Sequence, residues 1–465
     1  MSRLLSTPET FDMAVDVLVI GAGACGMVAA LRLADAGVEA MVLERDLSAS
    51  GSTAMSSGFI PAPGTAAQAA LGIVDSAEQF ADDLAAKSHG LGDARLATLA
   101  ARTIGPTLDW LAMRHGLEWQ VLDDFLYPGH SVHRMHAVPE KTGEGLINRL
   151  AVAVENAGVP VVTGAHVTGL CVEGARVTGA EVTRPDGQVE MIGCRALVLA
   201  CNGFGGNRAL VAQNIPLMAD APYFGHAGNQ GDALVWGQAL GAAAQHLSGC
   251  QGHGSVAHPH GILLTWALMA EGAIQVNAEG RRFSNEHRGY SEQAVDVLAQ
   301  PGGIAWDIFD DRLHDLARGF PDFRAAEAAG ALRSASTARD LGAAIGIDAD
   351  GLDRTISDCQ AYAEGKASDP FGRDFCGKPP LRPPYHAIRV TGALFHTQGG
   401  LVIDDNARVL RPDGTGLPNL FAGGGAASGV SGPEIEGYLS GNGLLTAIAF
   451  GALAGDGAAD LVRNG

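Results

Sequence analysis

Four stretches of this chain carry side chains suited to proton transfer and carbonyl chemistry. In SNEHRGYSEQ, residues 284–293, Tyr290 follows Asn285, Glu286, His287 and Arg288. An isolated phenol has a pKa of about 10, so Tyr290 can act as a base near neutrality only where a cation favours its phenolate. His287 and Arg288 are the candidates for that cation. In GYLSGNG, residues 437–443, the hydroxyls of Tyr438 and Ser440 stand beside Gly441 and Gly443, whose backbone amides can meet a developing negative oxygen. FHTQGG holds His396 and QGHGS holds His253, imidazoles suited to contacting a bound molecule. Tyr127 opens a polar loop, YPGHSVHRMH, that is expected to line a pocket. His130, His133 and His136, and His253, His258 and His260, lack a carboxylate or cysteine companion at a recognised spacing, so no metal site is read from them.

These groups need elements to position them. VDVLVIGAGACGMVAALRLADAGVEAMVLERD, residues 15–46, passes from a β-branched run through glycines to Ala and Leu at helical spacing, then to a second apolar run. That is a strand, tight turn, helix and strand. Gly21, Gly23 and Gly26 match GxGxxG at the turn, where missing Cβ atoms let a pyrophosphate approach the helix N-terminus. Glu44 ends the second strand, placed for ribose hydroxyls. Residues 48–64 read as a Gly- and Ser-rich loop, followed by Ala-rich helices to about residue 117. From 161 to 195, alternation punctuated by Glu-Gly and Asp-Gly predicts an antiparallel meander. ALVLAC then returns to a parallel sheet. The stretch 247–393 reads as a cap inserted into a nucleotide-binding domain formed by 1–246 and 394–465.

Composition narrows the function. The chain of 465 residues carries 31 Lys and Arg against 51 Asp and Glu, a formal charge of -20 that repels nucleic acid and anionic membranes. A small, neutral or apolar substrate is expected instead. Seven cysteines with no CxxC pair predict reduced thiols in a cytoplasm. No stretch reads as a membrane span, and residues 1–14 lack the apolar core of a secretory signal. Cys25, inside the glycine turn, reads as a small packing residue rather than a redox thiol.

Taken together, the glycine turn, GSTAMSSGFIPAPGT, VLACNGFGGN and GYLSGNGLLTAIAFG resemble the FAD-dependent fumarate reductase and succinate dehydrogenase flavoprotein superfamily over nearly the whole chain. The resemblance implies an α/β fold: a Rossmann-like FAD-binding domain of glutathione reductase type, parallel sheet plus antiparallel meander, with an inserted α+β cap. It assigns Ser52, Thr53, Ser56, Ser57 and Gly58 to the flavin pyrophosphate and ring. It further gives the cofactor Ala24, Arg45, Val167, Asn202, Gly203, Gly424, Gly425, Ser440, Asn442, Leu444 and Leu445. No histidine lies between residues 47 and 64, where covalently flavinylated members carry theirs, so noncovalent FAD is expected. Gly425 stands where many relatives have a glutamate. FAGGGAASG lacks a following acidic strand end, so no second dinucleotide fingerprint is read, and an external electron acceptor or donor is expected.

In soluble fumarate reductases the corresponding positions carry a glutamate and arginine for proton delivery, a catalytic arginine and a carboxylate-clamping arginine. This chain has Trp266, Met269, Tyr290 and Tyr438 instead. Losing the guanidinium fork removes bidentate carboxylate recognition. The two tyrosines are similar to those of 3-ketosteroid dehydrogenases, and Tyr438-Leu439-Ser440 resembles the Δ4-(5α) branch. That resemblance implies an oxidoreductase acting on a CH-CH or C=C bond conjugated to a carbonyl, with an enone or ketone substrate. Tyr290 would carry the α-proton, Tyr438 with Gly441 or Gly443 would bind the enolate oxygen, and Ser440 would assist. His396, His253, Trp266, Arg288 and Tyr127 would contact substrate. Two other readings stay open: a carboxylate-directed enoate reductase using His396, His253 and Arg288, and the flavoprotein subunit of an electron-transfer complex.

Overall fold

The computed structural model describes residues 3–464. The chain forms two compact units: Met1–Pro216 with Gly225–Cys250 and His396–Gly465, and Leu217–Phe224 with Gln251–Phe395.

In the first unit, Val189–Leu199 lies at the centre of the sheet. Met13–Ile20, then Ala40–Leu43, then Val161–Val162 continue in parallel on one side, and Gly416–Ala422 pairs in parallel as well. Val17, Leu18 and Val19 are fully buried, which is why this strand reads as an unbroken apolar run. The meander forms as expected from His166–Glu173, Arg176–Thr183 and the first half of Val189–Leu199. One correction follows. The third meander strand and the ALVLAC run are a single strand, because Gly193 between them stays in the strand, paired with Gly179 on one edge and Ala14 on the other.

One further expectation changes. Gly51–Met55, read as loop, is a short helix. Asn442–Asn464, among the described residues, is long and apolar enough to cross a membrane, with a mean hydropathy of 1.4 over its most apolar stretch. Most of that stretch is buried against the protein. Gly451 and Gly455 bring it against the helix Ala24–Asp35: a Cβ at either would lie 2.6 Å from the carbonyl oxygen of Cys25 or Ala29. Its apolarity therefore serves helix packing in the core.

The second unit is built on a six-stranded sheet in which Ile304–Asp310 runs antiparallel to both Tyr385–Thr397 and Ile274–Val276. Ile308, Phe309, Phe323 and Leu352 are among the residues that fill its core. Its boundaries differ from the 247–393 read in the sequence, because residues 217–224 join it. Phe224 N–H donates to the Leu394 carbonyl at 2.7 Å, Leu394 N–H donates to the Pro222 carbonyl at 2.9 Å, and Phe224 stacks on Phe395. A short return strand of this kind has no turn signature of its own.

Candidate active site

In the first unit, the glycine turn is closed to any larger residue. Gly21 has φ +104°, and a Cβ at Gly26 would sit 1.9 Å from the Gly21 carbonyl oxygen. Gly23 caps the helix Ala24–Asp35 without a side-chain bond, leaving a first turn of the kind that holds a pyrophosphate. Thr53 Oγ1 accepts from Ala24 N–H at 3.1 Å, and Glu44 accepts from Ala22 N–H at 2.9 Å, so both assigned residues flank the turn. Ser52 Oγ accepts from the Asn229 amide at 2.9 Å, and Ser56 Oγ accepts from Gly58 N–H at 3.1 Å. Ser57 is exposed. Arg45 reaches the Gly228 carbonyl at 2.9 Å. Val167 is buried in the meander, and Leu444 and Leu445 are buried in the C-terminal helix. Burial pushes the Cys25 thiol up to about 12, which removes it from thiolate chemistry.

At the C-terminal strand end, Gly425 has no room for a side chain. Beyond Gly424, a Cβ at Gly425 would fall 2.1 Å from Asn202 Oδ1 and 3.0 Å from His396 Nε2, and one at Gly203 would fall 2.0 Å from Thr397 Oγ1. Asn202 itself accepts from Gly203 N–H at 2.8 Å. His396 is half-buried, and burial holds its imidazole down at about 4, so it is neutral near pH 7.

Tyr438 is buried, with its hydroxyl 3.8 Å from where a Gly443 Cβ would be. Ser440 is buried too, and its carbonyl accepts from His130 Nε2 at 3.0 Å. His130 stacks on Phe80 and receives Arg134 Nη1 on Nδ1 at 3.4 Å. Burial and then the Arg134 charge depress its imidazole to about 4. The polar loop expected to line a pocket therefore supports the Ser440 turn from behind. Tyr127 packs edge-on against Phe59 and Phe125, with its phenol pushed well above its ordinary value by burial.

In the second unit, Tyr290 begins the helix Tyr290–Leu298 and stacks on His253, centroids 4.9 Å apart. Trp266 meets His253 edge-on at 5.5 Å and Tyr290 at 6.3 Å. His253 Nδ1 accepts from Ser255 N–H at 3.1 Å, which leaves the proton of the neutral ring on Nε2. Burial lowers this imidazole to about 3. Trp266 Nε1 is buried with no hydrogen-bond partner among the described residues. A buried indole N–H without an acceptor is costly unless a ligand supplies one.

Both expected cations are otherwise engaged. Arg288 is exposed and ion-paired with Asp296. His287 donates from Nε2 to the Met269 carbonyl at 3.0 Å, and burial lowers its imidazole. The sequence has no signal for either outcome, since both depend on which way the helix starting at Tyr290 faces. The fully buried arginines are committed as well. Arg134 pairs with Asp75 and Asp83, Arg282 with Glu286 and Asp369, and Arg373 with Glu286.

Sequence reasoning missed Gln398 and Ser431. Gln398 Nε2 donates to His396 Nδ1 at 2.8 Å, Ser431 Oγ donates to Gln398 Oε1 at 2.9 Å, and Asn442 Nδ2 donates to Ser431 Oγ at 2.8 Å. The available signal was Gln398 two residues beyond the histidine. Asn442 Oδ1 and Ser428 Oγ are buried without partners among the described residues. With the glycine cradle, these open acceptors fit a bound flavin nucleotide. Residues 51–58 hold no histidine, so FAD held here should leave with the supernatant after trichloroacetic acid precipitation. A yellow pellet would contradict noncovalent binding.

Residues 16–443 match the family described as FAD binding domain. The chain is 30% identical over 448 residues to a probable fumarate reductase, Ifc3, of Shewanella frigidimarina, covering 95% of this chain and 74% of that protein. It superposes on the open conformation of a flavocytochrome c3 fumarate reductase with a TM-score of 0.83 at 28% identity, covering 97% of this chain and 79% of that one. It also superposes on 3-ketosteroid-Δ4-(5α)-dehydrogenase from Rhodococcus jostii RHA1 in complex with 4-androstene-3,17-dione, with a TM-score of 0.78 at 26% identity, covering 98% and 99%.

Proposed function

The chain belongs to the FAD binding domain family and is an FAD-dependent oxidoreductase acting on CH-CH groups; on that premise we propose that its substrate is a bulky, largely apolar ketone or enone. The reaction is desaturation beside the carbonyl or its reverse. The observation that carries this reading is the ring cluster of His253, Trp266 and Tyr290, in which the buried Trp266 Nε1 has no partner among the described residues and offers a neutral N–H; burial lowers the imidazoles of His253 and His396 as well. Neutral donors match a carbonyl oxygen. A dicarboxylate would need cations, and the exposed Arg288 and the paired Arg282 and Arg373 are committed elsewhere.

FAD, when bound, supplies the hydride acceptor or donor. Tyr290 takes the α-proton in desaturation and returns it in reduction. Tyr438 and the amides of Gly441 or Gly443 hold the oxygen on which enolate charge develops, and Ser440 assists. The aromatic rings of His253, Trp266 and Tyr290 give the apolar wall a steroid-like ring system requires. A cytoplasmic setting and an external electron partner complete the proposal.

A second reading, a carboxylate-directed reductase, is favoured by the relatives named fumarate reductases. An anaerobic screen separates the two. Ketosteroids and cyclic enones should change the flavin absorbance, bleaching it in desaturation or restoring it from the reduced enzyme. Fast reoxidation by unsaturated acids with no response to any ketone would reject our reading.

A further inference from the structure

We propose that Gln398 is a positioning residue that fixes His396 as a neutral donor through Nε2, by way of the hydrogen-bond chain Asn442–Ser431–Gln398. The inference rests on the reading of His396 as a substrate donor. Each member of the chain is enclosed: Gln398 is 3% exposed, Ser431 1% and Asn442 0%. The backbone of Gln398 is pinned on both sides, with its N–H donating to the Gly249 carbonyl and its carbonyl accepting from Gly429 N–H, each at 2.8 Å. A side chain so held has one way to reach the imidazole.

Polarity follows from donor counting. A primary amide nitrogen only donates, so Nδ1 of His396, 2.8 Å from Gln398 Nε2, must be the bare acceptor. Gln398 Oε1 is satisfied by the Ser431 hydroxyl, whose own oxygen receives the Asn442 amide. Every donor used in the chain then has an acceptor, and Asn442 Oδ1 alone is left open. The remaining proton of the ring sits on Nε2, the nitrogen on the side of Gly425 and Asn202. Ser255 N–H sets the same tautomer on His253, donating to Nδ1 at 3.1 Å and leaving the ring proton on Nε2. Burial is the cause acting on the His396 imidazole, and no ionised group contributes to its shift. The tautomer is set by the Gln398 amide, which can only donate to Nδ1. Such a histidine presents a fixed N–H to a carbonyl oxygen and gives a carboxylate no compensating charge, which makes Gln398 a determinant of specificity.

The test is side-chain nitrogen-15 spectroscopy of the FAD-bound enzyme labelled at histidine, with His396→Asn identifying the resonances of this ring. A protonated Nε2 and a bare Nδ1 are expected from about pH 6 to about pH 8. Gln398→Leu keeps the bulk and loses the donor, so both tautomers should appear and kcat/KM for the enone should fall about tenfold. Gln398→Glu places an acceptor on Nδ1 and draws the proton there. It should also raise the imidazole pKa and add an ionisation near neutrality to the pH profile of kcat/KM. His396 protonated on Nδ1 in the parent enzyme, or resonances unmoved by Gln398→Leu, would overturn the proposal. The spectra do not depend on turnover, so an Nε2 tautomer in an enzyme inert to ketones would support the relay and reject the proposed reaction.

Discussion

Replacing Tyr290 with phenylalanine is expected to lower the rate of flavin reduction by a saturated ketone, or of enone reduction by the reduced enzyme, by about 10²- to 10⁴-fold. The ring that stacks on His253 is kept and only the proton-carrying oxygen is lost, so FAD content and the visible spectrum should not change. KM should move little, because the hydroxyl acts as proton carrier rather than as anchor. Stopped-flow absorbance measures the effect directly. A loss below about tenfold would mean that the proton travels by another group and that Tyr290 is a packed aromatic. Tyr438→Phe gives the informative contrast, since an oxygen-binding role also weakens substrate binding.

The second large effect concerns the charged cluster around Glu286, four residues before Tyr290. Glu286 is fully buried and accepts from Arg282 Nε at 2.9 Å, Arg373 Nη1 at 3.0 Å and Gln275 N–H at 3.0 Å. Burial alone would raise its carboxyl; the Arg282 hydrogen bonds and the charges of Arg373 and Arg282 outweigh it and hold the group at about 2. Glu286→Gln leaves Arg373 without its ion-pair partner and Arg282 with Asp369 alone, and turns donors against an amide nitrogen. The cost is about 3–5 kcal/mol, read as a lower unfolding midpoint by calorimetry. The double substitution Glu286→Gln with Arg373→Gln should recover part of the loss, because Arg282 still has Asp369. Because the folded pKa is depressed, this contribution is present above about pH 4.5 and is lost as pH falls through about 2. An unchanged midpoint in Glu286→Gln would show that the cluster is not a stabilising unit.

Much of the nucleotide-binding unit was legible because backbone sterics write themselves into residue type. Gly21 needs a positive φ and Gly26 has no room for a Cβ, so the turn admits little else. The meander was legible for a similar reason, with alternation and Asp-Gly turns reporting local geometry. The merger of its last strand with the parallel sheet was not, because it depends on partners far along the chain. The C-terminal helix is a different case. Its apolarity is equally suited to lipid and to a protein core, and only the packing of Gly451 and Gly455 distinguishes them.

The candidate site divides along the same line. Residue types pointed to a dinucleotide on a glycine turn and to an acidic chain that disfavours polyanionic partners, and the resemblance to a flavoprotein superfamily added the flavin and the two tyrosines in place of arginines. Only the tertiary structure decided which charges are available. It turned Arg288 outward to Asp296, tied His287 to a backbone carbonyl and neutralised Arg282 and Arg373 with Glu286. It also supplied the Gln398 and Ser431 support of His396. The reason is physical: a glycine's steric demand is local, whereas the charge state and tautomer of a side chain are set by burial and by partners brought together only on folding.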